Sequence, residues 1–590
     1  MFEAMKKIPL WVRPFLGLAM VVLGAVLALN SSASIQAFVL AVSVGLVAVG
    51  IARIIEAFGE DADHGSDHGS VVRWITGISG TLLAGMGIAA MVWRGATLPV
   101  LALAVALLLL LSGVASLVSL FRSSNTNRTY SLLGGLASIA TGTLVLVWPK
   151  LTVWAFGVFF GGWLVFTGLR LIIDFFARGR KNPSTPAKRR LAGFGKVAGS
   201  AVALLAAVVM VLVTPLIHAG DPRQVPDAFY TPPTDIPAGP GQLLRVEPLS
   251  QGVPENAAAW RILYTTTHPD GSPAVASGSV VVPANHGTEA LPVVSMAHGT
   301  KGIVPGCAPS LSSVPYSDGP AAALRELIGQ GWAGVMTDYV GLGTKGPHPY
   351  LVGQAEARNV LDAFRAASQL EEFSLRDDTL IWGHSQGGHG ALWSAAIAKD
   401  YAPEIKVLGV AALAPATNLV DLALGVKDAA AGKVVSSYIA ESWNDVFPEL
   451  NVESQITPGY ARSAQRIGEL CFDGRDALAA VIGGTQLFDA VIPDSALNGP
   501  LGGKLRENSV NQNINYPLFV GQGLDDQLVL PGMQRGWVAE RCAAGQHMEY
   551  REYEGRDHMP LVEDDSPLIP ELVRWANDRL DGKAPVNTCR

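Results

Sequence analysis

Long uncharged apolar runs in the first 217 residues are the feature that most constrains how this chain can fold. Each run is close to the ~20 residues that a helix needs to cross ~30 Å of hydrocarbon. The chain is 49% hydrophobic and 16% charged, and the apolar excess is concentrated in this part. We therefore predict an N-terminal all-α membrane bundle of about seven transmembrane helices, at about 14–30, 35–57, 73–93, 98–121, 131–149, 151–176 and 193–217.

A basic segment at 178–192 separates the sixth and seventh runs. It contains Arg178, Arg180, Lys181, Lys188, Arg189 and Arg190. Positively charged loops remain in the cytoplasm, so this loop is predicted to be cytoplasmic and everything after residue 217 to lie outside. No clear small-residue cleavage site follows 193–217, which favours a retained seventh helix over a cleaved signal peptide.

The apolar part also contains an internal repeat. The second, fourth and sixth runs end in similar sequences, in which Gly50, Gly113 and Gly168 each precede a phenylalanine by eight residues. The repeating unit is therefore a two-helix hairpin that occurs three times. Residues 1–177 resemble the HdeD-like acid-resistance membrane proteins, which implies a six-helix membrane domain. The sequence does not indicate what this domain does.

The remaining residues have the pattern of a soluble α/β protein. A proline-rich segment at 218–240 is typical of a linker. Two strand-like runs then flank Asp270 and Gly271, which indicates a hairpin. Short apolar runs alternate with helical patterns at 352–369 and 387–400. This alternation predicts a mainly parallel sheet covered by helices over residues 241–590.

The sequence Gly383-His384-Ser385-Gln386-Gly387 lies between a strand pattern and a helix pattern. This is the setting of the nucleophile elbow of α/β-hydrolases, in which a serine occupies a strained turn. Side chains two residues before and two after the serine would clash, and glycine stands at both positions. We expect Ser385 to be the nucleophile.

A serine hydroxyl needs a base and an orienting acid, which in this fold follow it in the order acid and then histidine. Asp525 and Asp526 follow the late strand pattern PLFVGQG, and spacing from Gly523 and Val529 favours Asp526. Two histidines come after this acid. His558 stands in a loop after a strand pattern, whereas His547 precedes that pattern, so His558 is the predicted base.

The oxyanion of the tetrahedral intermediate needs two fixed N–H donors. We expect one from the backbone of Gln386, directly after the serine. The other is expected from Thr300 in the glycine-containing loop after the strand pattern LPVVSMA, with Lys301 or Gly302 as alternatives.

All four cysteines lie in the second half of the chain, at Cys307, Cys471, Cys542 and Cys589. Composition alone leaves reduced cysteines and disulfides equally open. The predicted topology places this half in an oxidising compartment, which favours disulfides. Their spacing matches no zinc pattern.

Several runs of the second half resemble the secretory lipase family. They are DAFYTPP, HGTKGIVPGCAPS (298–310), DYVGLGTKGPHPYL (338–351) and GHSQGGHGALWSA (383–395). The resemblance implies an extracellular lipase or esterase with a triad of Ser385, Asp526 and His558. It also implies a helical cap at about 418–512 and the disulfides Cys307–Cys471 and Cys542–Cys589.

These observations predict a serine-dependent carboxylic ester hydrolase on the outer face of the cell membrane. The chemistry needs no cofactor or metal, and an apolar ester or lipid is the expected substrate. The net charge of -7 gives no reason to expect a nucleic acid partner. Acyl transfer to an envelope lipid and a membrane stress-response scaffold with a non-catalytic hydrolase domain are the alternatives. Acyl chain length and oligomeric state are not indicated.

Overall fold

The computed structural model describes residues 97–118, 128–148, 220–316 and 319–589, with isolated positions between 18 and 88 and between 201 and 209. The chain divides into two compact units, Met1–Leu216 and Ile217–Arg590. Several predicted segments lie outside the described residues: 151–176 and 178–192 entirely, and most positions of 14–30, 35–57 and 193–217.

Helices α1 (Thr97–Val118) and α2 (Arg128–Val147) of the first unit lie where two of the apolar runs predict them. The two helices touch through glycine. A Cβ atom on Gly113 would lie 2.7 Å from the carbonyl oxygen of Gly135, and one on Gly135 would lie 3.0 Å from that of Gly113. Small residues at such positions let two helix backbones approach closely.

The same contact recurs earlier in the chain, between Gly50 and Gly80, where added Cβ atoms would lie 2.6 and 2.7 Å from the opposite carbonyl oxygens. Gly50 and Gly113 are equivalent positions of the internal repeat. The repeated sequence therefore also makes the same glycine-to-glycine contact. Among the described residues, no helix combines the length and apolar character that crossing a membrane requires. The membrane bundle stays a prediction.

In the described part of the second unit, nine strands form one mixed sheet in the order β1-β2-β3-β5-β4-β6-β7-β8-β9. Strands β1 to β3 and the β3–β5 pair are antiparallel, and the pairs from β5 to β9 are parallel. The strands are β1 Leu243–Leu249, β2 Ala257–Thr267, β3 Pro273–Pro283, β4 Leu291–Ala297, β5 Ala333–Thr337, β6 Leu375–His384, β7 Lys406–Leu413, β8 Leu518–Gly523 and β9 Glu549–Tyr553.

The predicted hairpin is present between β2 and β3, whose register pairs Thr267 with Pro273. Gly271 adopts a φ of 85°, which favours glycine, and the Asp270 carboxylate accepts a hydrogen bond from the N–H of Ser272 at 2.9 Å. The aspartate therefore stabilises the turn through its side chain, and the glycine supplies the positive φ that the turn needs.

Eleven α-helices of the second unit are described. They are α3 Leu324–Gly329, α4 Gly353–Ala367, α5 Gln386–Tyr401, α6 Leu419–Val426, α7 Ala430–Val446, α8 Ala461–Gly468, α9 Gly474–Gln486, α10 Asp494–Leu497, α11 Pro500–Asn508, α12 Pro531–Ala543 and α13 Leu568–Leu580. Helices α6 to α11 lie between β7 and β8, in the segment predicted as the cap.

Two cores lie on opposite faces of the sheet, because successive side chains of a strand point to opposite faces. In β6, Leu380 and Trp382 belong to the core shared with α3, α13 and the cap. Ile381 between them belongs to the core shared with α4 and α5. Parallel strands that are covered on both faces are continuously apolar, as the sequence pattern indicated.

The segment predicted as a linker, 218–240, packs on the hydrolase unit over its described residues. Phe229 and Tyr230 are buried against Leu263 and Val275, and the Tyr230 hydroxyl hydrogen-bonds that of Ser310 at 2.9 Å. Prolines and polar residues suggested a free linker, but two aromatic side chains hold it to the sheet. The hydrolase unit therefore begins before residue 241, the boundary predicted from sequence.

Both disulfides that the family resemblance implies are present. Cys307–Cys471 joins the loop after β4 to the cap across 164 residues. Cys542–Cys589 joins the end of α12 to the segment after α13. The parallel strands β4, β6 and β8 all end at the edge where Ser385 lies, so this edge carries the candidate site.

Candidate active site

Ser385 occupies a sharp turn between β6 and α5. Its φ of 56° is unusual for a residue with a side chain. A Cβ atom on Gly383 would lie 1.8 Å from the carbonyl oxygen of Gly387, and one on Gly387 would lie 1.9 Å from that of Ala297. The turn therefore requires glycine on both sides of the serine, as the motif predicted.

Three of the predicted residues form a continuous hydrogen-bonded chain. His558 Nε2 lies 2.9 Å from Ser385 Oγ, and His558 Nδ1 lies 2.8 Å from Asp526 Oδ2. A carboxylate accepts the Nδ1–H, which leaves the lone pair of Nε2 facing the serine hydroxyl. This is the arrangement in which an imidazole can take the hydroxyl proton.

Asp526 is held by backbone groups of its own turn. Its Oδ1 accepts hydrogen bonds from the N–H groups of Leu528 at 2.9 Å and Val529 at 2.8 Å, and Gln522 Nε2 donates to its Oδ2 at 3.2 Å. The side chain of Asp526 is fully buried, whereas Asp525 is exposed. The structure thus brings Asp526 to the histidine and leaves Asp525 in solvent.

The loop that carries His558 is tied to the nucleophile elbow through His384. Nε2 of His384 donates to the carbonyl oxygen of His558 at 3.1 Å, and the two rings lie 4.6 Å apart. Burial, helped by the neighbouring His558, holds the pKa of His384 well below its usual range. His384 is therefore a neutral donor. His547, the other candidate base, is exposed, and the partner of Ser385 Oγ is His558.

The loop predicted to supply the second oxyanion donor passes beside the nucleophile. A Cβ atom on Gly299 would lie 3.7 Å from Cβ of Ser385. Thr300 follows, and its hydroxyl hydrogen-bonds the hydroxyl of the buried Tyr350 at 2.8 Å. Thr300 and Gln386 therefore lie in the segments that flank Ser385, and their roles as N–H donors stay predictions.

Three contacts hold this loop to the cap. The N–H of Phe472 donates to the carbonyl oxygen of Lys301 at 2.8 Å. The Lys301 ammonium lies 3.3 Å from the carboxylate of Asp473. The Cys307–Cys471 disulfide adds a covalent link. The cap is therefore fastened to the loop beside the site, and Ser385 is only 9% exposed.

Glu356 of α4 is a buried residue of this region that the sequence analysis did not single out. Its carboxylate contacts Gln386 and His389, which both follow Ser385 on α5. Glu356 is one of several charged residues of its helix, so the helical pattern gave no signal of its burial. The only available signal was that the GHSQGGH run contained both of its partners.

The secretory lipase family matches residues 320–468, which include Ser385. A short repeat of unknown function, DUF308, matches three times, at 15–84, 78–146 and 133–212. The threefold internal repeat is thereby confirmed.

The secreted triacylglycerol lipase LIP4 of Malassezia globosa is 31% identical over 360 residues, which are 56% of this chain and 74% of the relative. This chain belongs to the secretory lipase family. Lipase A of Moesziomyces aphidis is 24% identical over 415 residues, 65% of this secretory lipase and 87% of the relative. A probable inactive lipase of Mycobacterium tuberculosis is 23% identical over 407 residues, 63% and 84% of the two chains.

The solved structure of Candida antarctica lipase A has the same fold. Its TM-score is 0.53 at 21% identity, and the match covers 63% of this chain and 89% of that one. The secretory lipase described here is accordingly a hydrolase of the lipase and esterase type with an α/β-hydrolase fold. The existence of a probable inactive relative makes the geometry of the triad the decisive feature of this chain.

Proposed function

We propose that this secretory lipase hydrolyses carboxylic esters of apolar acyl chains, with Ser385 as the nucleophile. The observation that carries the proposal is the hydrogen-bonded chain from Asp526 through His558 to Ser385, with distances of 2.8 and 2.9 Å. Strained backbone such as that of Ser385 is typical of functional sites, and here the strained serine is aligned with an imidazole and a buried carboxylate.

In the first half of the reaction, Ser385 Oγ forms a bond to the ester carbonyl carbon while its proton passes to His558 Nε2. Asp526 accepts the Nδ1–H throughout and stabilises the imidazolium that forms. The backbone N–H groups of Gln386 and Thr300 receive the oxyanion. The C–O bond to the alcohol then breaks, and His558 returns the proton to the departing oxygen.

The second half repeats these steps with water. His558 takes a proton from water as its oxygen attacks the acyl-enzyme carbonyl, and then gives the proton to Ser385 Oγ as the carboxylic acid leaves. Apart from the ester and water, the steps use only side chains and backbone groups of this chain. The names of several relatives, which are lipases and triacylglycerol lipases, support an apolar acyl ester as the substrate.

The location that we propose is the outer face of the cell membrane, with the repeat region as the anchor. Three observations support it: the basic segment at 178–192, the two disulfides and the word "secreted" in the names of several relatives. Positive-inside orientation and disulfide formation both support a hydrolase on the outer side.

A fluorophosphonate probe tests the nucleophile directly, because it reacts only with an activated serine. We expect the parent to be labelled and to release 4-nitrophenol from 4-nitrophenyl esters. Ser385→Ala should lose both properties and remain folded, since only a hydroxyl is removed. Labelling of Ser385→Ala, or a parent that neither labels nor hydrolyses any ester of a chain-length series, would refute the proposal.

A further inference from the structure

Two polar side chains of the Ser385 motif have no part in the steps above. Gln386 and His389 stand one and four residues after Ser385, in the first turn of α5. They are buried, with 1% and 0% exposure. Polar side chains that are buried this deeply generally have hydrogen-bond partners inside the protein.

Both side chains bind one carboxylate, that of Glu356 on α4. Gln386 Nε2 donates to Glu356 Oε1 at 2.8 Å, and His389 Nδ1 lies 2.6 Å from Glu356 Oε2. The N–H of Leu351 also donates to Oε1, at 3.0 Å. Glu356 is completely buried. Each carboxylate oxygen thus holds a different residue of the turn that follows the nucleophile.

The hydrogen bonds of His389 determine where the protons lie. His389 Nε2 is 2.7 Å from the carbonyl oxygen of Asn508, which can only accept, so Nε2 carries a hydrogen. One further proton is then shared between His389 Nδ1 and Glu356 Oε2. A buried carboxylate without such partners would be strongly destabilising, and breaking one partner of a buried pair leaves that cost uncompensated.

We propose that Glu356 is a positioning residue for the oxyanion hole, an inference that rests on the proposed function. The N–H that receives the oxyanion belongs to Gln386, which directly follows the strained Ser385 with φ 56° and ψ -118°. Strained backbone persists only where its surroundings fix it. Glu356 fixes it by binding Gln386 and, one turn later, His389, so the N–H keeps its direction while charge develops on the substrate.

The test compares an ester with its thionoester in the full-length protein, using 4-nitrophenyl butyrate and its thiono analogue. Sulfur accepts hydrogen bonds poorly, so the oxyanion hole contributes less to thionoester cleavage. Glu356→Ala should lower kcat for the oxygen ester about 10²-fold, the usual cost of losing an oxyanion donor. KM should change little, and the loss for the thionoester should be smaller.

Glu356→Gln is the conservative variant. Its amide oxygen can accept from Gln386, and its NH₂ group can donate to Nδ1 of a neutral His389, so it should restore most of kcat. Gln386→Ala removes only the hydrogen bond from Gln386 Nε2 to the Glu356 carboxylate. It provides the test if Glu356→Ala does not fold. It should reproduce the larger loss for the oxygen ester.

Asp362→Asn is the matched control. Asp362 is also a buried carboxylate on α4, but it binds Thr266, Arg365 and Tyr401. This variant should keep kcat for both substrates, per active site titrated with the fluorophosphonate probe. Equal losses for ester and thionoester in Glu356→Ala, or a kcat matching that of Asp362→Asn, would overturn the inference while leaving the proposed function intact. A parent inactive on both substrates would overturn both.

Discussion

At the scale of single residues, hydrogen bonds from neighbouring groups hold Asp526 and His558 of the candidate site in place. Asp526 has its two oxygens divided between the backbone of its own turn and His558. His558 in turn is tied through its carbonyl oxygen to His384. Asp526 and His558 are therefore each held by a neighbour that has no part in the proposed proton transfer.

The proposed role of Asp526, rather than Asp525, in orienting the His558 imidazole can be tested by substitution. Asp526→Asn should reduce kcat on the order of 10⁴-fold, because an amide favours the wrong imidazole tautomer. Asp525→Asn should alter kcat no more than about twofold, as expected for an exposed residue. Steady-state hydrolysis of 4-nitrophenyl butyrate measures both. The reverse ranking would make Asp525 the orienting acid.

The three residues predicted as the triad lie within hydrogen-bonding distance of one another, and for Asp526 and Ser385 a local sequence feature explains why they could be found. The spacing to Val529 identified Asp526, and in the structure the N–H of Val529 donates to that carboxylate. Gly383 and Gly387 identified Ser385, because no larger side chain fits at either position. Glu356 had no such signature. Its burial depends on Gln386 and His389, about thirty residues further along the chain, and a helical acidic residue is ordinarily interpreted as solvent-facing.

At the scale of elements, the central strands could be predicted from the sequence, whereas the edge strand β1 could not. β4 to β8 are apolar runs buried on both faces. β1 was missed because its sequence, LLRVEPL, is half-exposed along its length and lacks a clear period. The position of the Thr300 N–H is also beyond sequence, because loop geometry and contacts with the cap determine it.

The two disulfides should have different effects on catalysis. Replacing Cys307 and Cys471 together by serine removes the covalent link between the loop after β4 and the cap and leaves the two contacts of Lys301. We therefore expect kcat to fall along with a stability loss of ~2–5 kcal/mol. Replacing Cys542 and Cys589 by serine should reduce stability and leave kcat unchanged, because that bridge lies at the end of α12. Probe-titrated kcat and thermal unfolding separate the two effects. A similar fall in kcat for both pairs would contradict this expectation.

The cap helix α7 contains a carboxylate that should make stability depend on pH. Burial, and then Asp445, Glu453 and Glu469, raise the pKa of Glu441 to about 7. The folded state then binds more protons than the unfolded state between the ordinary pKa of glutamate and about 7, so the free energy of unfolding decreases as pH rises through that window.

Glu441→Gln should therefore be more stable than the parent above pH 7 and should show no advantage at pH 4. Since Glu441 is half-buried and screened by solvent, the gain should be on the order of 1 kcal/mol. Urea unfolding at a series of pH values provides the measurement. A stability difference that does not vary with pH would show that the charge of Glu441 is not responsible.

At the scale of the whole molecule, all members of the triad and both disulfides belong to the unit Ile217–Arg590. Removing residues 1–217 and adding an export signal should yield an active esterase. The same fragment made in a reducing cytosol should be less stable by ~2–5 kcal/mol for each disulfide lost. Proteolysis of intact spheroplasts should reach the hydrolase of the full-length protein. A protected hydrolase with thiols that react freely would show that the proposed topology is inverted.

The separation of 173 residues between Ser385 and His558 also has a consequence for biosynthesis. A ribosome adds about 5–20 residues per second, so the nucleophile emerges roughly ten to thirty seconds before its base. Throughout that interval the growing chain contains Ser385 but not the proposed base. Under the proposed mechanism a nascent chain cannot hydrolyse an ester until synthesis has passed His558.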